Sequence, residues 1–447
     1  MRNKLTFTVC CLAVSMVFAS FASAQKPIAI RGGKIITMSG DPIENGTIII
    51  RDGRIAEIGK DLKVPVEAQI IDATGQVVMP GFVEAHSSSG MSQANETNQT
   101  VPYLSVIDSI DPMNSYFRNA RRNGVTSVAI TPGNSTLIGG QAAVIKTGGD
   151  FVDEMILKPV AGIKISLRPV SGGRMSHLAK LRKALNEAKK KLDDKNKPKD
   201  DKNEKSDVKK DADKAKAETK KDDDKKTETS KPAEKKEEPK VESELDKAMF
   251  ALLEGKIPAI IYCEKAMDVG QAMRLIKEYK LDAKLVLGRE CHKAAKQVAK
   301  MNLPVVLDST LVFWEEDPRT QEEEKIVLPE IFRKHNVKFV FQVGGSSSQT
   351  LGSNFLWYQA ATAVKYGMPV QDALEALTIL PAKFHGIEKF VGTIEKGKDA
   401  DIVILSGEPL KVGTWVEKTI VGGDVVYEKE KDEQLERLLT GKEADSE

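Results

Sequence analysis

Strand and helix patterns alternate in residues 259–307, which read AIIYCEKAMDVGQAMRLIKEYKLDAKLVLGRECHKAAKQVAKMNLPVVL. Across the chain, short apolar runs bounded by turn residues have the composition of buried strands, at 125–130, 259–262, 284–287, 304–307 and 337–341. Strands that alternate with helices predict parallel βα units, in a closed barrel or an open, doubly wound sheet. No glycine-rich phosphate loop is present, so we predict the α/β class with a TIM-like (β/α)8 barrel.

The two ends of the chain have a different pattern. Residues 27–78 and 400–427 contain short alternating strands separated by glycine-containing turns. Neither segment is long enough for a stable sheet of its own, so we predict that they pair as a small composite β-sandwich beside the barrel. The predicted domains are a sandwich from 25–78 plus 395–430, a barrel over 79–394, and a polar C-terminal tail over 431–447.

The first 24 residues have the features of a signal peptide. Arg2 and Lys4 precede the uncharged apolar run 5–19, and Ala-Ser-Ala at 22–24 is typical of a cleavage site. This pattern predicts export to the periplasm or the cell exterior, with no stable membrane span after cleavage. An uncleaved N-terminal anchor is the alternative.

Residues 191–240 differ in composition from their surroundings. They hold 18 Lys and 16 Asp plus Glu, with only Leu192 and Val208 as large aliphatic residues. Such a segment cannot bury enough apolar surface to offset the entropy of ordering. We therefore predict a charged, disordered insertion within the barrel domain, acting as a solvated tether or as a docking arm for an anionic surface.

The overall charge restricts the class of partner. Lys plus Arg total 67 and Asp plus Glu total 65, so the chain has no general positive field for binding phosphates. We expect no nucleic-acid partner. A small-molecule pocket is compatible with this composition, and its ligand is unknown from sequence.

Two segments carry a family resemblance. PGFVEAH at 80–86 resembles the first barrel strand of the amidohydrolase superfamily, and VGTIEKGKDADIV at 391–403 resembles its return to the sandwich. Further segments are similar to the imidazolonepropionase-like branch, at 107–112, 123–128, 132–134, 138–141 and 373–383. The resemblance covers about 28–428. It implies a hydrolase of non-peptide carbon-nitrogen bonds that uses zinc or another divalent metal, and a homodimer or a dimer with a related active subunit.

The metal positions implied by this resemblance are mostly degenerate. His86 on strand one is the sole retained ligand, and we expect a hydrogen bond in the barrel mouth, rather than metal, to hold it. Lys164 on strand four is a pocket residue that the resemblance implies is carboxylated in active relatives, and without a metal we expect it to form a structural ion pair. The other positions carry residues that do not replace a histidine ligand or the catalytic aspartate, namely Ser88, Tyr262, Gly288 and Gly344. We therefore predict no bound cofactor, and no catalytic residue is assigned.

A relocated metal site is an alternative. Cys263 and Glu264 follow strand five, Cys291 and His292 follow strand six, and barrel loops on one face could bring them to His86. Thiolate, imidazole and carboxylate groups suit zinc. The two cysteines could equally form a disulfide or remain buried thiols. The other histidines are predicted to be surface or packing residues: His177, His335 and His385.

Two functions follow from the sequence. In the first, the protein is a secreted hydrolase of carbon-nitrogen bonds with low activity or none, whose metal would be held in an unfamiliar way. In the second, it is a pseudoenzyme, a non-catalytic small-molecule-binding or partner protein built on the same barrel.

Overall fold

A computed structural model describes residues 26–170, 172–197, 242–344 and 354–441. The signal-peptide prediction for 1–24 and most of the predicted insertion lie outside these residues. The described chain begins with five strands, β1 (Ile28–Ile35), β2 (Ile43–Arg51), β3 (Arg54–Gly59), β4 (Gln69–Asp72) and β5 (Val77–Pro80). β1 pairs with β2 in antiparallel fashion and with β4 and β5 in parallel fashion.

The barrel contains eight strands, β6 (Phe82–Ser87), β7 (Val125–Ile130), β8 (Ile138–Lys146), β9 (Ile156–Ser166), β10 (Ala259–Cys263), β11 (Ala283–Leu287), β12 (Val305–Val306) and β15 (Phe339–Val340). They form one sheet in the order β15-β12-β11-β10-β9-β8-β7-β6. A separate hairpin, β13 (Val312–Glu316) and β14 (Glu323–Val327), follows β12. The predicted (β/α)8 barrel is confirmed.

One barrel strand departs from the parallel pattern. β8 runs antiparallel to both β7 and β9. The connection 131–137 between β7 and β8 holds no helix, and such a short link joins neighbouring strands only when they run in opposite directions. As a result, the amino end of β8 lies beside the carboxyl ends of the other strands.

Besides its strands, this part of the chain contains helices, most of which pack on the outer side of the sheet. They are α1 (Ser115–Arg122), α2 (Val152–Met155), α3 (Arg174–Asn196), α4 (Glu244–Leu253), α5 (Ala266–Tyr279), α6 (Ala295–Met301), α7 (Leu328–Lys334), α8 (Leu356–Lys365), α9 (Val370–Leu377) and α10 (Ile379–His385). In α3, Leu178, Leu181 and Leu185 are buried at helical spacing against outward-facing strand residues such as Ile163 and Ile165. None of the helices in the described ranges is long and apolar enough to cross a membrane.

Helices α3 and α4 flank the predicted insertion and pack against each other. Lys191 Nζ lies 2.7 Å from Asp246 Oδ1, and Lys195 Nζ lies 2.6 Å from Glu242 Oε1. Residues 191–196 belong to α3, and Leu192 is buried, so the insertion begins later than its composition predicts. The helical leucine spacing of α3 continues into the charged segment and explains the difference.

The C-terminal strands complete the first sheet. β16 (Ile402–Leu405), β17 (Val416–Val421) and β18 (Asp424–Glu428) extend it in the order β18-β17-β16-β5-β1-β2-β3. The sheet curves so that its far parts meet: Ala400 N donates to Gly53 O at 2.8 Å, and Ile55 N to Lys398 O at 2.9 Å. It encloses a core rich in isoleucine. The predicted pairing of the two chain ends is confirmed.

Residues 431–447, predicted to be a tail, contain a helix where they are described. α11 (Glu433–Thr440) begins at Asp432, whose side chain accepts a hydrogen bond from Leu435 N. Arg122 Nε of α1 lies 2.7 Å from Asp432 Oδ2. This ion pair and the burial of Leu435 hold the helix on the protein.

Candidate functional site

The carboxyl ends of the parallel barrel strands form a mouth, where enzymes of this architecture place their chemistry. Side chains alternate along a strand, so the outward packing of Ile163 and Ile165 on β9 directs Lys164 and Ser166 inward. Tyr262 on β10 lies between the outward-facing Ile261 and Cys263 and also points inward. These residues form the inner wall of the mouth.

The central contact of the mouth joins His86 and Lys164. Lys164 Nζ lies 3.0 Å from His86 Nε2, and both side chains are buried. The pairing of β6 with β7 is irregular between Glu84 and Ser87. This irregularity lets His86 face inward although Ala85 beside it also contacts the barrel interior.

Burial changes the protonation of both groups. It lowers the pKa of Lys164 to about 7, because no water solvates the ammonium form. Burial and the adjacent lysine lower the pKa of His86 well below its usual value. A neutral imidazole and a lysine close to its titration midpoint are therefore in direct contact at neutral pH.

Lys164 has an aromatic neighbour and no acidic one. Its Nζ lies 5.4 Å from the centroid of the Tyr262 ring. Burial raises the pKa of the Tyr262 hydroxyl well above its usual value. Among the described residues, no carboxylate lies within ion-pairing distance of Lys164, so the predicted ion pair is not formed there, and only burial shifts its pKa.

Gln342 completes the contacts of His86 from the end of β15. Its side chain hydrogen-bonds to the imidazole, which opposes the lowering of the His86 pKa. Its Nε2 also donates to Leu307 O at 2.9 Å, beyond β12. The family resemblance points to Gly344 and not to Gln342. Side chains alternate along β15, however, and this alternation directs residue 342 into the barrel.

The other predicted family positions have structural roles. Ser88 Oγ donates to Thr131 O at 2.9 Å, which ties β6 to the segment after β7. A Cβ on Gly288 would lie 2.5 Å from Glu264 O, so close packing of two loops requires glycine there. Gly344 is the last described residue before 354 and is half-buried.

The predicted relocated site does not converge. Cys263 and Cys291 are buried free thiols, with Cys291 Sγ 3.2 Å from Cys263 O. Glu264 pairs with Arg168 and Arg174, while His292 Nε2 lies 3.3 Å from Glu315. The side chains of Glu264, Cys291 and His292 thus have separate partners. In the part of the chain that the structure describes, no group of three His, Cys, Asp or Glu residues could hold a metal.

Glu84 is a second perturbed group, and sequence analysis did not single it out. Tyr116 OH of α1 donates to its Oε2 at 2.7 Å, and Val343 N donates to its Oε1 at 3.4 Å. Burial raises the pKa of Glu84 to about 7, and these hydrogen bonds oppose the rise. Glu84 thus connects β6 to the segment that follows β15.

A cavity of about 330 Å³ lies at the opposite end of the barrel, away from these groups. Its apolar wall includes Val305 and Phe339 at the starts of β12 and β15, together with Leu380 and Phe384 of α10. Lys338 and Lys383 also line it, and both are exposed. It contacts neither His86 nor Lys164.

Comparison with known proteins agrees with this geometry. The model of the amidohydrolase family matches residues 324–426. An amidohydrolase from Thermotoga maritima has the same fold, with a TM-score of 0.72 and 25% identity over 90% of this chain and 100% of that chain. The chain therefore resembles amidohydrolases in fold over 90% of its length and in sequence over residues 324–426. An amidohydrolase of Hapsidospora irregularis is 22% identical over 407 residues, or 85% of this chain.

The chain corresponds to only part of the length of the curated relatives that it matches. It spans 40% of the Hapsidospora irregularis protein, and a dihydroorotase of Geotalea daltonii matches over 59 residues, which are 14% of that enzyme, at 42% identity. A zinc-containing adenosine deaminase from Xanthomonas campestris shares the fold at a TM-score of 0.50 and 13% identity, covering 93% of this chain and 96% of its own. The imidazolonepropionase-like branch stays a prediction.

The residues at the mouth do not fit the zinc that the family implies. Each ring nitrogen of histidine has one in-plane position, for a proton, a hydrogen bond or a metal. At His86 Nε2 this position is taken by Lys164 at 3.0 Å, whereas zinc would need to lie about 2.0 to 2.1 Å away. The Lys164 amine therefore hydrogen-bonds to His86 at the position where the family resemblance implies a metal ion.

Proposed function

We propose that this amidohydrolase-like protein is an exported small-molecule-binding protein with little or no hydrolytic activity. The observation that carries the proposal is the contact between Lys164 Nζ and His86 Nε2. It occupies the imidazole position that a hydrolytic metal would use.

The missing ligands support the same conclusion. A catalytic zinc lowers the pKa of its bound water to about 7 and so supplies hydroxide at neutral pH. Ser88 is directed to a backbone carbonyl, and Gly288 and Gly344 have no donor side chain. Without these ligands, the mouth retains a few polar groups, which suit binding more than hydrolysis.

Hydrolysis of non-peptide carbon-nitrogen bonds is the second candidate function. The observation that favours it is the likeness to the Thermotoga maritima amidohydrolase over 90% of the chain. In that case a metal would have to displace Lys164 from His86.

Metal analysis of the mature protein distinguishes the two functions. We expect less than about one tenth of an equivalent of zinc, manganese or iron after purification, and no change in melting temperature with a chelator, because bound metal would stabilise the fold by linkage. We also expect no turnover of dihydroorotate, hydantoin or dipeptides above buffer.

A pair of histidine variants makes the test specific. Stoichiometric metal together with turnover, both lost in His86→Ala and retained in His177→Ala, would overturn the proposal. His177 is the matched control, because it is buried and its Nε2 hydrogen-bonds to Ser166 O rather than to Lys164.

Export is tested separately. The proposal rests on the charge and apolar pattern of residues 1–24. We expect the protein recovered from the periplasm or medium to begin at Gln25. Recovery of the full-length chain from membranes would support an uncleaved anchor instead.

A further inference from the structure

The cavity of about 330 Å³ at the amino ends of the barrel strands is separate from the mouth. Three segments enclose it: the end of α6 with the turn into β12, the turn from α7 into β15, and helix α10. Its volume is at the lower end of the range for small-molecule sites, about 300 to 1,000 Å³. The cavity can therefore hold a small ligand, and none of the residues described at the mouth lines it.

The buried part of the cavity lining is apolar. Val305 and Phe339 are paired on the neighbouring strands β12 and β15. With Val298 of α6 and Phe384 of α10, they each expose less than a tenth of their surface. Apolar surface of this kind gains free energy when a methylene chain replaces water against it. The lining therefore favours an aliphatic ligand.

The polar side chains of the lining are exposed, and none of them is acidic. They are Asn302, Asn336, Lys338 and Lys383. Within the described ranges, none of these four side chains has a hydrogen bond or an ion pair, and no aspartate or glutamate lines the cavity. The two ammonium groups are thus available to a carboxylate. Because exposed ion pairs are individually weak, the lysines select an anion while the apolar wall supplies most of the affinity.

A third cation lies close to the cavity wall, on the side of the barrel interior. Lys284 Nζ lies 5.2 Å from the centroid of the Phe384 ring. Burial lowers the pKa of Lys284 to about 8, so the amine is mostly protonated at about pH 7. Lys158 and Asp282 act on this pKa in opposite directions. The charge near the wall is therefore positive, which also favours an anionic ligand.

We propose that this cavity is a binding site for a small aliphatic monocarboxylate, such as a medium-chain fatty acid. The alkyl chain lies against Val305, Phe339 and Phe384, and the carboxylate pairs with Lys338 and Lys383 at the opening. The site goes beyond the function proposed for the mouth, and it does not depend on whether a metal is bound there.

Titration with matched probes tests the proposal on the unmodified mature protein. Binding of octanoate, octan-1-ol and butyrate is measured by isothermal titration calorimetry at about pH 7 and low salt. We expect octanoate to bind with a stoichiometry of about one. Octanol should bind about five-fold or more weakly, because it cannot form the ion pairs. Butyrate should bind about ten-fold or more weakly, because it buries fewer methylene groups.

Two results with these probes would overturn the proposal without any variant. One is the lack of saturable octanoate binding. The other is binding of octanol as tight as that of octanoate, which would show that the lysines do not recognise the carboxylate.

Variants then locate the site. The double variant Lys338→Met with Lys383→Met should weaken octanoate binding about five-fold or more, because methionine retains an apolar stem but no charge. Lys300→Met is the matched control, since Lys300 is exposed on α6 but does not line the cavity, and it should leave the affinity unchanged. Ala299→Leu keeps both lysines and fills part of the cavity, so it should weaken octanoate binding about ten-fold or more. Melting temperatures confirm that each variant is folded.

A lysine variant at the mouth separates the two ends of the barrel. Lys164→Met should bind octanoate as the unmodified protein does. Loss of octanoate binding in Lys164→Met, with binding retained in the Lys338 and Lys383 double variant, would place the ligand at the mouth and contradict the cavity site. That outcome would leave the function proposed for the mouth intact, whereas stoichiometric metal in the same protein would contradict that function and not the cavity site.

Discussion

Lys146 on β8 and Asp401 before β16 form an ion pair, with Nζ 3.2 Å from Oδ1, that joins the barrel to the terminal sheet. Lys146 Nζ also lies 2.7 Å from Asp399 Oδ2, and Gly422 N donates to Asp401 Oδ1 at 2.7 Å. The Asp-Ala-Asp motif at 399–401, which carries part of the family resemblance, therefore has a structural role in this chain.

We expect Lys146→Met to lower the free energy of unfolding by about 3 kcal/mol, because it leaves the buried Asp401 carboxylate without its cation. Urea denaturation measures the loss. The double variant Lys146→Met with Asp401→Asn should recover part of it. Lys247→Met removes an exposed helical pair and should change stability by less than about 0.5 kcal/mol. If Lys146→Met and Lys247→Met lowered the free energy of unfolding equally, the structural role of the Lys146–Asp401 pair would be contradicted.

Lys164→Met should stabilise the protein. Burial lowers the Lys164 pKa from 10.5 to about 7 in the folded state, so the unfolded chain binds more protons between these values. Above pH 10.5 the lysine is neutral in both the folded and the unfolded state, so it costs no folding free energy. As the pH falls toward about 7, the unfolded chain takes up a proton that the folded chain does not, and the free energy of unfolding decreases. We therefore expect a gain of about 2 to 4 kcal/mol in the variant at pH 7, shrinking toward pH 10.

Chemical denaturation across this pH range measures the gain. Lys284→Met is the comparison, because burial lowers the Lys284 pKa to about 8, and its gain should be smaller. A loss of stability in Lys164→Met that is independent of pH would show that the amine is held by a favourable interaction.

Glu84 should make stability fall as the pH rises from 5 to 8. Burial raises its pKa from 4.5 to about 7 in the folded state, so the folded chain binds more protons in this window. The contribution of Glu84 to the free energy of unfolding is fully present below pH 4.5 and is lost as the pH rises through about 7. Tyr116→Phe removes a donor to the carboxylate and should cost about 1 to 3 kcal/mol at pH 8 and less at pH 5.

Thermal and urea unfolding at the two pH values test the Glu84 prediction. Glu84→Gln should abolish this part of the pH dependence, because the amide does not titrate. An unchanged pH profile in Glu84→Gln would mean that other groups are responsible.

Much of the fold was predictable because it depends on local patterns. Apolar runs bounded by turns predicted the barrel strands. The short alternating strands and glycine-containing turns at both ends of the chain predicted that these ends pair. The reversed direction of β8 was missed, although the helix-free connection 131–137 is a signal for it. Helix α11 was missed because the polar composition of 431–447 outweighed the spacing of Leu435, Leu438 and Leu439.

The candidate site was only partly predictable because its contacts are made between distant segments. Sequence reasoning named His86 and Lys164 but not their hydrogen bond, which depends on the irregular pairing at the end of β6. Glu84 has ordinary neighbours in sequence, and its raised pKa results from burial. No periodicity in the chain contains that information.

The pairing of α3 with α4 has a practical consequence for protein engineering. The ion pair between Lys195 and Glu242 means that the chain departs after α3 and resumes before α4 at nearly the same point on the surface. A folded reporter domain whose own termini are close together can replace residues 198–241 at this splice point without drawing the two helices apart.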